Sequence, residues 1–370
     1  MTQFGQWCPE IYRSMYVERV NQDKATVAPC CQAQGHLVDL ENLSFHADPV
    51  LVDLRAKFAA GHKPSACNRC WQLEDLGQKS RRLSAIEFFG MSQPDTTVRL
   101  ESLDHNVTWA CNLACVMCGP ACSSFWAKQL KFDQTQLFAL GKTLIKYNGF
   151  LDQLNLQNLK KLHFNGGEPL LNNDHAVILQ HLDQQDILQH VFISYNTNGT
   201  VFPSQKVIDL WQKTKLVKLF FSIDATQEAF EYIRWPANWI QTQKNIQEMK
   251  NILPSNVMFG FNVTVGCHNI FELVDVVQWF DRNLDVNREG DVSDFSMQFA
   301  NNFALTNLPP AALADAIEYL SSVPRLNEIA WHLKSQLNYQ VSDEWINQLE
   351  AIDKQRNTSW RHSLKIGKYY

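Results

Sequence analysis

The residues of this 370-residue chain best suited to chemistry are its ten cysteines, nine of which fall into two groups. The run CNLACVMC places Cys111, Cys115 and Cys118 three and two residues apart, a spacing that suits a loop curling around a small inorganic site. Three protein ligands leave one metal corner unfilled, and a cofactor or substrate can bind there. The other group is Cys8, Cys30, Cys31, Cys67 and Cys70, with a CxxC knuckle at its end. Cys8, Cys67, Cys70 and one or both of Cys30 and Cys31 can converge as four thiolates. On spacing alone, a structural zinc site and an iron–sulfur cluster account for that set equally well.

The surroundings of the cysteines narrow the choice. The N-terminal run MTQFGQWCPEIYRSMY is too polar for an export signal, and no apolar run reaches membrane-spanning length. The expected location is the cytoplasm, where thiols stay reduced, so the clusters point to metal rather than to disulfides. A net charge of −5 with 19% charged residues gives no bulk electrostatic reason for a nucleic-acid or anionic-membrane partner.

Three segments must position these residues. In residues 1–95, YRSMYVERV, NQDK and ATVAP read as a hairpin ending at Cys30 and Cys31. A helix follows, with Leu51, Leu54 and Phe58 on one face and Gly61 as its stop. SQPDTT, around Pro94, reads as a linker. Residues 96–305 alternate short β-rich runs with helical stretches, the signature of parallel βα units. The strands are expected at 98–103, 160–164, 190–195, 217–223, 257–264 and 295–299, with helices such as 135–151 and 239–252 between them. Six units are too few for a closed eight-stranded barrel, so the expected fold is α/β, a partial TIM-like (β/α)6 barrel. Ligands then belong at the C-terminal ends of the strands. The unusual residues fall there: CNLACVMCGP after the first strand, NGGEP after the second and NTNGT after the third. Ser222 and Asp224 end the fourth strand, with Arg234 ten residues on, and Asn262 lies on the fifth. Residues 306–370 read as a helical extension whose basic end, DKQRNTSWRHSLKIGKYY, is expected to be a solvated tail, the alternative being a cover for the open side of the barrel.

CxxxCxxC, GGEP, TNG and SID in this order resemble the radical S-adenosylmethionine (radical SAM) enzymes, from Arg99 to about Phe303. Cys8, the hairpin ending in PCC, LRAKFAAG and CNRCWQLEDLGQKSRR resemble the auxiliary-cluster modules called SPASM or twitch domains. Two positions depart from the pattern: Met117 stands where an aromatic residue is common, and Ala25 where a glycine usually precedes the cysteine pair.

The resemblance implies that Cys111, Cys115 and Cys118 hold a 4Fe–4S cluster whose free iron is chelated by S-adenosylmethionine. It implies that Gly166, Gly167, Glu168 and Pro169 line the methionine, with the glycines admitting close backbone approach. Thr197, Ser222, Asp224, Arg234 and Asn262 become further cofactor contacts. Cys8, Cys30, Cys67 and Cys70 become ligands of an auxiliary iron–sulfur cluster, with Cys31 the alternative to Cys30. The small N-terminal Cys-rich module then precedes the barrel. The implied reaction is reductive cleavage to a 5′-deoxyadenosyl radical that abstracts hydrogen from a peptide or protein. A flavodoxin- or ferredoxin-type protein would supply the electron. Oxidation or epimerisation of a small molecule is the alternative substrate reading, and a non-catalytic metal-stabilised binding or electron-transfer protein the alternative class. Cys122 and the scattered histidines are expected to be structural. Cys267 is a candidate hydrogen donor, though a free cysteine is often merely buried.

Overall fold

The computed structural model describes residues 5–75, 79–139, 149–283, 295–300, 302–334 and 342–370. The chain divides into two compact units. Unit 1 comprises Met1–Ala110, Phe132–Tyr195 and Ser204–Lys218; unit 2 comprises Cys111–Lys131, Asn196–Pro203 and Leu219–Tyr370. The fold is mixed α/β, with nine strands among the described residues, mostly parallel. Among the described residues no helix is long and apolar enough to cross a membrane.

Unit 1 is built on a sheet. Strands β1 (Ser14–Arg19), β2 (Lys24–Ala28) and β3 (His36–Asp39) form an antiparallel meander. The turn between β1 and β2 is fixed by Asn21, whose side-chain oxygen accepts from the amides of Asp23 and Lys24. Then β1 pairs in parallel with β4 (Ser102–Thr108), β4 with β5 (Lys161–Gly166), and β5 with β6 (Phe192–Thr197). The apolar residues of these strands, Leu103, Leu162, Phe164, Ile193 and Tyr195, are buried. Phe164 and Tyr195 pack on His175 of the helix Asp174–Gln184. The alternate residues of the strands are polar.

The segment that carries the N-terminal cysteines packs around Trp7, Ile11, Tyr12, Phe58, Trp71 and Ile86. Asp48 caps the helix Pro49–Ala59 by accepting from the Leu51 amide at 2.9 Å. Arg55 on that helix donates to the carbonyls of Ile11 and Phe45, so a buried cation is stabilised by otherwise orphaned backbone oxygens.

Strand β7 (Leu216–Phe221) passes from unit 1 into unit 2 at Leu219. In unit 2, β8 (Val257–Val265) and β9 (Phe295–Phe299) pair in parallel, with Phe261 opposite Phe295. Phe261 packs on Trp279 and Phe280 of the helix Leu273–Asn283, and Trp279 on Trp239 of the helix Trp239–Ile252. Helices Pro310–Ser321, Asn327–Lys334 and Glu344–Arg356 follow.

Most expected elements are present within a few residues, and the helix at 239–252 coincides. The first βα strand does not: it spans Ser102–Thr108 rather than 98–103, because its polar residues conceal it as sequence. Of the helix expected at 135–151, Gln134–Ala139 is helical, 140–148 lies outside the described residues, and Phe150–Gln153 is a short 3-10 turn. The C-terminus is not a solvated tail. Trp360 and Ile366 are 0% exposed, and the Lys365 amide donates to Glu272 at 2.7 Å.

Candidate functional site

In unit 2 the run from Cys111 to Cys118 is an irregular loop held by its own neighbours. Ala114 and Val116 donate their amides to the carbonyls of Trp235 and Ile233, at 2.7 and 2.9 Å. Two serines just past the motif work on it as well. Ser124 Oγ accepts from the Cys111 amide, and Ser123 Oγ donates to the Leu113 carbonyl while capping the next helix. Trp126 Nε1 donates to the Cys115 carbonyl at 2.8 Å. Asn112 is fixed through Asn198 and Thr200, so the TNG turn supports this loop. Sequence reasoning passed over Ser123, Ser124, Trp126 and Asn198; the signal available was a capping serine directly after the last cysteine.

The electrostatics centre on Cys115. The neighbouring Cys118 thiol and Arg234, whose Nη1 donates to the Cys115 sulfur at 3.7 Å, together bring Cys115 below its usual range against burial. Cys118, left holding the shared proton and buried, is pushed well up. Arg234 also has a carboxylate partner within the chain. Its Nη2 lies 2.5 Å from Asp224 Oδ2 in a buried ion pair. Burial opposes the guanidinium charge, but Asp224 and the thiolates outweigh it. Burial pushes the Asp224 carboxyl up despite Arg234 and the Thr264 amide that donates to its Oδ1. Asn269 ties the Asp224 and Thr264 carbonyls together. The structure thus joins Cys115, Cys118, Arg234 and Asp224, and soft thiolates backed by a guanidinium suit an iron–sulfur cluster.

The other unit 2 candidates sit nearby in the chain with ordinary partners. Thr197 is buried; its hydroxyl accepts from Gly199 N and its carbonyl from Ser222 N. Asn262 is half-buried on β8, opposite Ser296. Cys267 is 0% exposed and burial pushes its thiol well up, the state of a packed residue.

The GGEP turn lies in unit 1, where its two glycines have close packing neighbours within the chain. Gly166 has φ +128°, and a Cβ on it would stand 2.2 Å from the Thr108 carbonyl. One on Gly167 would stand 2.2 Å from the Ala110 carbonyl. The absence of a Cβ therefore lets the turn pack against the backbone of Thr108 and Ala110, and the amides of Gly167 and Glu168 donate to those same two carbonyls. Glu168 is buried, and its Oε1 accepts from Leu170 N, capping the turn that starts at Pro169.

The N-terminal thiols ring one enclosed cavity in unit 1. Cys8, Cys30, Cys67 and Cys70 line it together with Ile11, Phe58 and Trp71. Cys31 is not among its lining; it is exposed, and Arg81 Nη1 donates to its sulfur at 3.3 Å. Burial, helped by the nearby Glu10 carboxylate, pushes Cys8 and Cys30 well up and Cys67 up to about 11; Glu10, Arg81 and Arg82 share the lining with the thiols. Among the described residues no three His, Cys, Asp or Glu side chains meet at a point suited to a single ion; the thiols surround a space instead.

Beside Cys31 stands a polar group the sequence analysis left aside. Asp104, His163 and Ser194 share one register position across β4, β5 and β6. His163 Nδ1 lies 2.8 Å from Ser194 Oγ, and Arg81 bridges Asp104 and Glu10 at 2.8 Å each. Burial works against the Asp104 charge, yet Arg81 holds that carboxyl below its usual range; burial brings His163 down to about 4, so the imidazole is neutral. The signal was the repeated pattern Asp-x-Asn, His-x-Asn, Ser-x-Asn at 104, 163 and 194.

No protein-family profile and no curated protein sequence matches the chain. Solved structures similar to it include native anSMEcpe with bound AdoMet, at 16% identity and a TM-score of 0.39, over 66% of this chain and 63% of that one. The chain therefore spans less than two thirds of that protein's length. Streptococcus suis SuiB bound to S-adenosylmethionine is similar at 14% identity and a TM-score of 0.34, over 85% and 70% of the two chains. SuiB bound to precursor peptide SuiA gives 13%, 0.32, 89% and 76%. Likeness at these levels assigns no role to any residue here.

Proposed function

We propose that the chain is a radical SAM enzyme with two iron–sulfur sites, its barrel a partial (β/α)6 arrangement preceded by a twitch-like module. The observation that carries this reading is the Cys111–Cys118 loop. It follows a parallel strand, its backbone is fixed on several sides, and a buried guanidinium supports one of its thiolates. Cys111, Cys115 and Cys118 would hold a 4Fe–4S cluster; Cys8, Cys30, Cys67 and Cys70 would hold a second. The first such cluster, once reduced by one electron from the donor protein, would supply reductive cleavage of bound S-adenosylmethionine to methionine and a 5′-deoxyadenosyl radical, the agent for hydrogen abstraction.

The protein's own part is placement. Cys118 and Arg234 favour the thiolate form of Cys115, the form that binds iron, while Asp224 holds Arg234 through their ion pair. Arg81, Asp104, His163 and Ser194 offer a polar surface beside the second site. A peptide or protein is the favoured substrate class, with a flavodoxin- or ferredoxin-type donor.

Anaerobic reconstitution tests this. About eight irons per chain and release of 5′-deoxyadenosine from S-adenosylmethionine are expected, falling to about four irons, with cleavage retained, in Cys67→Ala/Cys70→Ala. A colourless zinc protein that releases no 5′-deoxyadenosine would refute the reading.

A further inference from the structure

The helix Glu344–Arg356 meets the three-cysteine loop through two side chains in unit 2. Gln348 Nε2 donates to the Val116 carbonyl at 3.1 Å, and Arg356 Nη2 to the Ala114 carbonyl at 2.6 Å. These carbonyls belong to residues lying between the first and second, and the second and third, cysteines. The amides of the same residues are already donated elsewhere, to Trp235 and Ile233. Ala114 and Val116 are therefore fixed at both N–H and C=O, by two separate stretches of chain. A loop of irregular backbone has few ways to satisfy its own carbonyls, and buried ones need a partner.

Arg356 is an expensive choice of donor. It is only 9% exposed, and its guanidinium lies over Trp126 at 4.8 Å and Trp235 at 5.8 Å. Its Nε and Nη1 make no hydrogen bond among the described residues. Burying a charged group with donors unused costs stability, so the contacts it does make must be specific ones. The aromatic faces recover part of that cost and fix the plane of the guanidinium.

We infer that Gln348 and Arg356 are positioning residues: from the C-terminal helix they clamp the carbonyls of Val116 and Ala114 and preset the cysteine loop before any metal enters. The purpose of that presetting rests on the cluster assignment above; the clamp itself does not. A loop with its carbonyls fixed cannot turn an amide oxygen toward the thiolates, and its three sulfurs keep their order. A helix more than two hundred residues on in the chain is thereby part of the first motif's site.

The test uses the full chain and three variants: Arg356→Met, Gln348→Leu and Arg356→Lys. Hydrogen–deuterium exchange on the metal-free protein should show the 111–118 amides exchanging about tenfold faster or more in Arg356→Met, as loss of one charge-assisted bond implies. Gln348→Leu should give a smaller rise, and Arg356→Lys should recover part of the loss. Amides of β8 should stay unchanged in all three. In the Cys67→Ala/Cys70→Ala background, a chelator should strip iron severalfold faster from Arg356→Met than from its parent. Unchanged loop exchange in Arg356→Met and Gln348→Leu would overturn the clamp. An equal rise in β8 in all variants would also overturn it, as general destabilisation. Loop effects in a parent that takes up no iron–sulfur would instead overturn the cluster assignment and leave the clamp standing.

Discussion

Replacing Gly166 with alanine separates two accounts of the GGEP turn. If the glycine serves only to admit methionine, Gly166→Ala should fold normally and lose cofactor affinity. The geometry says otherwise. The added Cβ would stand 2.2 Å from the Thr108 carbonyl and 2.3 Å from Asn106 Oδ1, on a backbone held at φ +128°. A non-glycine residue there costs about 1–3 kcal/mol in backbone strain. Overpacking against a backbone oxygen adds about 1–3 kcal/mol. Together these predict a loss of about 3 kcal/mol or more in the metal-free protein. With a urea slope of about 3 kcal/mol per M, the unfolding midpoint falls by about 1 M. Gly119→Ala is the control, since a Cβ there meets nothing within 4 Å, and it should stay within about 0.5 kcal/mol of the parent. Anaerobic urea titration of the three proteins, followed by tryptophan fluorescence, gives the answer. A Gly166→Ala midpoint equal to that of Gly119→Ala would refute the steric argument.

Removing one member of the buried Arg234–Asp224 pair should be severe: Arg234→Met leaves a carboxylate uncompensated and should lower stability by about 3–5 kcal/mol in the same titration. Asp224→Asn/Arg234→Met, which leaves no charge behind, should cost less than Arg234→Met alone; a larger loss would contradict the ion-pair account. Glu272 is 1% exposed, and burial raises it to about 7 from 4.5, so the folded state prefers it protonated. Its contribution is full below about pH 4.5 and is lost as pH rises to about 7, a swing of about 3 kcal/mol. Glu272→Gln should flatten that part of the stability–pH curve, and an unchanged curve would rule this out. For the N-terminal cavity, Cys30→Ser should lose about four irons on reconstitution and Cys31→Ser none, the reverse result making Cys31 the ligand.

How much of this was legible beforehand depends on which face of each strand a residue occupies. The apolar residues of β5 and β6 announce strands because they alternate, and the helix Trp239–Ile252 was read to the residue. Strand β4 starts four residues later than expected, since Asp104, His105 and Asn106 look like a turn when the partners that bury Asp104 on one face and His105 on the other are unknown. Motif spacing located the cysteines and the GGEP turn, but it could not tell who approaches a glycine: at Gly166 the visitor is the chain's own Thr108. Arg234 was singled out as a cation, but its buried pairing with Asp224, ten residues earlier, could not be read from spacing. Contacts across long separations, such as Arg356 with Ala114, leave no local trace at all.

The meander at the N-terminus has a consequence of its own. Through β1 it supplies the outer neighbour of β4, so the row of amides and carbonyls on that side of β4 is paired and not left open. A chain begun at residue 96 would present that row bare, a template for strands of other molecules. Residues 1–95 therefore protect unit 1 from self-association in addition to carrying cysteines, and the two thiol groups can be dissected by point substitution but not by truncation.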